Sequence, residues 1–248
     1  MRMRPLAGLT LAGFALAMGP MGSAPAAAAP KAAAHAASGA DARFKALYEK
    51  EWAWREAEFP GSSGGDAPLA DHLPRVDPAS QAARLAYWRD VRRQVDTIPE
   101  RDLSPEEAVN YEVYRDQIDT LISQLKFREY EKPFNSDSSF WSDLGFTASR
   151  TFHTVQDYRN YIALLNDIPR YFRENTANMR AGLARGFTPP KATLAGREVS
   201  IAGVAQARDA ESTIFWKPFK TMPAAIPAAE QEALRAEARK AFQDQVRP

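Results

Sequence analysis

His35, His72 and His153 are the only imidazoles in this 248-residue chain, and there is no cysteine. Without cysteine there can be no disulfides, thiolate zinc sites, iron–sulfur clusters or cysteine nucleophiles. Helix-borne zinc hydrolases place two His at i and i+4 with a Glu beside the first. That spacing aims both rings at one metal and leaves the carboxylate to activate water. The sequence contains no His-Glu-x-x-His. His153 and Asp157 share the i, i+4 spacing, but a pair without a third ligand reads as a helix cap before it reads as a metal site. Acyl transfer through serine needs a hydroxyl, a base and an orienting acid. Ser136, Asp137 and His153 are the right residue types, but at a spacing that chance produces easily, and no Gly-x-Ser-x-Gly elbow is present. Phosphate-cradling glycine loops and dinucleotide fingerprints are missing as well.

The least ordinary segment is Asn135-Ser136-Asp137-Ser138-Ser139, a polar run between Phe134 and Phe140-Trp141. Buried without partners, such a run would forfeit hydration. It therefore faces water, caps neighbouring elements, or lines a polar cleft. Five tryptophans, Trp52, Trp54, Trp88, Trp141 and Trp216, could form a platform for a sugar or peptide. Core packing is the stronger reading, because Trp52 and Trp88 fall on the apolar faces of their helices.

These residues must be positioned by helices. The periodicity predicts an all-α, irregular array of about six to seven helices with one long polar loop, and no stretch alternates like a strand. Phe44, Leu47, Tyr48, Trp52 and Phe59 share a face of a first helix over Asp41–Phe59, ended by Pro60-Gly61-Ser62-Ser63-Gly64-Gly65. Asp77-Pro78 opens a second, with Leu85, Trp88, Val95 and Ile98 inward. Ser104-Pro105-Glu106-Glu107 reads as a capping box for a third, carrying the stripe Tyr114, Ile118, Leu121, Ile122 and Leu125. Thr154 with Asp157 starts a fourth, and Pro169 opens a fifth that Gly186 closes as a left-handed cap. A shorter helix covers Leu194–Ala207. A last one begins near Pro227, with Leu234, Ala238, Ala241, Phe242 and Val246 on its apolar side. That side is expected to lack cover within the chain, and a helix still presenting apolar residues at Pro248 reads either as an ordinary C-terminal helix or as an interrupted chain.

Lys and Arg number 32 against 31 Asp and Glu, a balance that gives no electrostatic argument for nucleic acid or an anionic membrane as partner. Arg2 and Arg4, the uncharged run Leu6–Met18 and the small residues Ser23–Ala29 have the three-part layout of a secretory signal peptide over residues 1–29. The apolar run is too short to span a bilayer. Cleavage after Ala28 or Ala29 would leave an Ala-rich spacer over 30–40 and a helical region over 41–248. The product would be periplasmic or secreted, with no integral membrane segment.

Several runs, in order, resemble the bacterial domain-of-unknown-function 885 family. They are Phe44-Lys45-Ala46-Leu47-Tyr48-Glu49-Lys50-Glu51-Trp52, Leu103-Ser104-Pro105-Glu106 with Asn110-Tyr111-Glu112-Val113, and Pro133-Phe134-Asn135-Ser136-Asp137-Ser138-Ser139-Phe140-Trp141. Asp167-Ile168-Pro169-Arg170-Tyr171 and the run Asn178–Pro190 continue the series. The resemblance covers roughly residues 41–248. It implies a largely helical, longer protein similar to zinc metallopeptidases, whose His-Glu-Ala-x-Pro-Gly-His type motif lies in a C-terminal half. No residue here matches that motif. The resemblance thus implies no catalytic residue, metal ligand or cofactor in this chain, with zinc belonging only to a full-length relative, and it favours the interrupted reading of the last helix. On this view the chain is the N-terminal segment of an exported peptidase-like protein, inactive alone. Asn135, Ser136 and Asp137 would be its substrate-facing candidates and a peptide the substrate of the whole. The alternative is a non-enzymatic helical partner-binding module of the cell envelope.

Overall fold

A computed structural model describes residues 39–60, 69–135, 137–142 and 144–248. Among these the chain is all-α. Its helices are α1 (Gly39–Glu58), α2 (Pro78–Asp96), α3 (Pro105–Lys126), α4 (Leu144–Thr147), α5 (Val155–Ala184), α6 (Glu198–Ala205), α7 (Lys217–Lys220) and α8 (Ala228–Ala241). A π-helical turn, Phe242–Val246, continues α8. No strand occurs among the described residues, only an isolated antiparallel bridge between Phe134 and Ser139. The leader over 1–29, the spacer up to Ser38, His35 and the loop from Gly61 to Gly65 lie outside the described residues.

The starts of the long helices follow from their caps. Asp77 accepts from the amides of Ala79 and Ser80, with Pro78 in the first turn. Thr154 and Asp157 form a complete capping box. The box expected at Ser104 is only half made. Ser104 Oγ accepts from the Glu107 amide at 3.3 Å, but the Ser104 amide donates to Asp41 Oδ1 at 2.9 Å instead of to Glu107. Asp41, buried at the start of α1, is the better placed carboxylate, so the cap of α3 doubles as a tie to α1. At the other end of α5, Gly186 at φ +72° takes the left-handed position. The Phe187 amide donates to Gly182 O at 2.8 Å and the Gly186 amide to Leu183 O at 3.1 Å, the two bonds of a Schellman motif.

Two hydrophobic clusters form. Phe44 and Leu47 of α1, Trp88, Val91 and Val95 of α2, and Tyr111 and Ile118 of α3 make one. Tyr158, Tyr161, Ile162 and Leu165 of α5 make the other, with Phe215, Trp216, Phe219, Leu234, Ala238 and Phe242. An extended strap from Leu69 to Val76 is held along α5 by its backbone. Asn160 donates to Leu69 O at 2.7 Å. Asp167 accepts from the Leu73 amide at 2.8 Å, and Arg170 donates to Leu73 O at 2.7 Å. Glu174 accepts from the Val76 amide and Asn178 donates to Val76 O, both at 2.7 Å. Asn160, Asp167 and Glu174 are seven residues apart, so two helical turns separate successive ties and all face one way.

Three expectations are corrected. Pro169 does not open a new helix: α5 runs unbroken for 30 residues with Pro169 inside it. Proline takes away the amide that would bond the Leu165 carbonyl. The strap ties on both sides of Pro169, at Asp167 and at Arg170 and Glu174, hold the two halves in line. Trp52 is not core: it is 51 % exposed, and Trp54 packs instead, stacked on Tyr87 at 3.6 Å and edge-on to Trp88 at 5.4 Å. The apolar side of the last helix is not bare. Leu234, Ala238, Ala241 and Phe242 are buried in the second cluster, against α5.

Candidate functional site

The polar run resolves into a turn. Asn135 Oδ1 accepts from the Asp137 amide at 2.7 Å and the Ser138 amide at 2.9 Å, and the Asn135 amide donates to Ser138 O. This is an Asx turn, in which a short side chain takes over hydrogen bonds the backbone cannot make locally. Asn135 and Asp137 are exposed, and Ser136 lies outside the described residues. The two described candidates therefore meet each other, and the side chain of Asn135 is spent on the turn. Replacing Asn135 by Ala should cost about 1 kcal/mol of stability, the usual worth of such bonds. Urea unfolding reads that directly, and ligand binding at the cavity described next should not change.

The aromatic shoulder of the same loop does reach a cavity. A space of about 510 Å³ lies between the Trp141-Ser142 shoulder, α4, the middle of α5, α6 and the π-helical turn. Leu144, Ile168, Phe172, Ile201, Val204, Ile214, Phe215 and Val246 make its walls apolar. Polar groups are few. Trp141 Nε1 donates to Ser200 Oγ at 2.9 Å, and Ser200 Oγ donates to Arg197 O at 2.9 Å, which pins α6 to the loop. Asp244 and Arg247 belong to the lining beside the π-helical turn, where the Arg247 amide reaches back to Phe242 O at 2.9 Å. Pro169 also lines the space, so the Leu165 carbonyl one turn earlier has no helical amide partner there. Size, apolar walls and sparse convergent polar groups match a small-ligand site.

Bond-making groups do not converge on this cavity. Among the described residues its lining holds no imidazole. His72 is exposed and bonded at 2.6 Å to Asp71, whose carboxyl the imidazole holds below its usual range. The backbone amides of His153 and Thr154 both donate to Asp157. Burial works against that carboxylate's charge, but these amide bonds outweigh it and keep its pKa low, as a cap requires. Among the described residues no three His, Cys, Asp or Glu side chains are grouped to hold a metal ion. They therefore do not fit the zinc centre that the resemblance implies. No described helix is long and apolar enough to cross a membrane.

Sequence reasoning missed Ser200, Ile201 and Val204. The signal was the composition of α6, Glu-Val-Ser-Ile-Ala-Gly-Val-Ala, which is apolar nearly all round, as a buried helix would be. None of its residues is fully buried. An apolar helix that stays half open is offering its side chains to something other than the core.

The chain matches no curated protein and no solved structure. A family model described as "Bacterial protein of unknown function (DUF885)" matches residues 56–248, from the end of α1 through α8, and includes every residue lining the cavity. With most of its length inside that match, the chain belongs to the DUF885 family.

Proposed function

We propose that this chain is the exported, substrate-holding helical part of a peptidase-like protein, and that its cavity between α5 and α6 seats a large apolar side chain of a peptide. The cavity carries the reading: about 510 Å³ of apolar space with a hydrogen-bonded Trp141–Ser200 edge. The leader pattern over residues 1–29 supports export to the periplasm or beyond. On this reading the groups that would break the peptide bond are not among the described residues.

The test is calorimetric titration of the purified chain with N- and C-capped Ala-Ala-Phe-Ala and Ala-Ala-Gly-Ala. Burying a phenyl side chain contributes about 1.5–3 kcal/mol. The Phe peptide should therefore bind at least about tenfold more tightly. Val204→Trp fills the space and should remove that preference. Equal affinity for the two peptides would contradict the reading. Peptide hydrolysis by the chain alone, lost to a chelator and restored by zinc, would contradict the placing of catalysis elsewhere.

A further inference from the structure

A second open surface lies between α1 and α3. α2 packs along α3, while α1 touches both more lightly and leaves a groove of about 820 Å³ on its α3 side. Phe44, Tyr48 and Trp52 of α1 face Val113 and Tyr114 of α3 across it. Trp52 is 51 % exposed and Val113 54 %, and Val109, one turn before Val113, is 65 % exposed. Large apolar side chains left open in one place mark an interaction site more often than isolated ones do.

The floor is rigid. Glu51 is buried beneath it and accepts from Trp88 Nε1 at 3.0 Å and from Arg55 Nε and Nη2, each at 3.0 Å. Arg55 is thereby committed to Glu51. The other charges around the groove are mostly acidic. Glu49 lines the groove, Glu56 stands one turn beyond Trp52, and Glu106 one turn before Asn110, which also lines it. Lys45 is the basic residue on that rim, and it lies 3.8 Å from Glu49.

Both walls are helices whose backbone groups are bonded internally, so the groove offers no row of free amides or carbonyls. An extended peptide would lose water from its own backbone there and gain no partner. A helix brings its backbone already satisfied and can place apolar anchors at i, i+3, i+4 and i+7 on the groove floor. We propose that the α1–α3 groove docks a basic amphipathic helix of a partner protein, with Trp52 and Val113 as its apolar contacts and Glu49, Glu56 and Glu106 facing the partner's Lys or Arg.

The probe is a pair of synthetic 18-residue helices with the same Leu stripe, one with Lys and one with Glu at the polar positions. The readout is the indole N–H signals of the purified chain, followed by NMR at low and high salt. The Lys helix should shift the Trp52 signal saturably, bind at least about tenfold tighter than the Glu helix, and weaken with salt. Trp52→Ala and Val113→Glu, both at exposed positions, should each weaken it at least about tenfold while the chain keeps its thermal transition. Equal binding of both helices would overturn the proposal, as would a shift at Trp141 in place of Trp52, or the absence of saturable binding. So would light scattering that shows a dimer broken by Val113→Glu, because the occupant would then be a second copy. Apart from the Trp141 signal, none of these readouts uses the α5–α6 cavity, so the two assignments fail separately.

Discussion

Arg170→Ala is expected to lower stability by about 1.5–3 kcal/mol, the worth of hydrogen bonds to a charged group at a partly buried site. Arg170 donates to Asp167 Oδ1 at 2.7 Å, Asp167 Oδ2 at 2.5 Å, Glu174 Oε2 at 2.8 Å and Leu73 O at 2.7 Å. All three charged side chains are less than a fifth exposed. Removing the guanidinium leaves two carboxylates two turns apart without their shared partner and a carbonyl without its donor. It also loosens the strap on the C-terminal side of Pro169, where α5 depends on it. The same network sets a pH dependence. Burial raises the pKa of Asp167, but the Arg170 hydrogen bonds and the Leu73 amide outweigh it, so the folded value lies below the unfolded one of about 3.9. A carboxyl shifted down contributes its stability above the unfolded pKa and loses it as pH falls through the folded value. Urea midpoints should therefore drop below about pH 4 in the parent chain, and less steeply in Arg170→Ala. A loss under 1 kcal/mol would mean the strap is not held as described.

Gly182→Val is the second large effect, expected at about 3 kcal/mol, the upper end of overpacking costs. A Cβ at position 182 would sit 2.8 Å from Glu131 O, 2.9 Å from Phe187 O and 3.0 Å from Glu131 Cβ. Two of those atoms are backbone, so neither can turn aside. Glu131 is itself buried and paired with Arg185 and Arg128. Phe187 has the Lys132 ammonium 4.0 Å and the Arg185 guanidinium 4.1 Å from its ring centre. Pushing α5 off these neighbours would break the Schellman bonds at Gly186 as well. Thermal denaturation should show a drop of several degrees, since about 1 kcal/mol moves the midpoint of a domain this size by about 2–4 °C. Ala at the same position already brings the clashing atom and should show most of the effect.

The fold was legible where a local signal carries its own geometry. The Asp77-Pro78 start, the helix start at Thr154 and the Gly186 cap each rest on a few neighbouring residues, and each is found as read. Reading failed where tertiary contacts overrule local preference. Pro169 breaks helices in isolation, but here strap ties on both sides keep α5 whole. Trp52 and Trp54 both lie near the apolar face of α1, and only the position of Tyr87 on α2 decides that Trp54 stacks and Trp52 stays out. The candidate site was half legible. The loop from Asn135 to Trp141 was picked out, but Asn135 closes a turn while Trp141 reaches the cavity. The opposite wall, α6, lies some sixty residues away in the chain, and no short-range pattern could have joined them.

The most direct test of the cavity assignment uses the indole of Trp141, whose N–H donates to Ser200 Oγ at the cavity edge. The chain has five tryptophans, so a ¹⁵N-correlation spectrum gives five indole signals that single substitutions assign. On titration with capped Ala-Ala-Phe-Ala, the Trp141 signal should move saturably while Trp52, Trp54 and Trp88, all on α1 and α2, stay fixed. If Trp141 stays still while another indole moves, or if the Gly peptide moves it equally, the cavity between α5 and α6 is not the place where this protein holds its substrate.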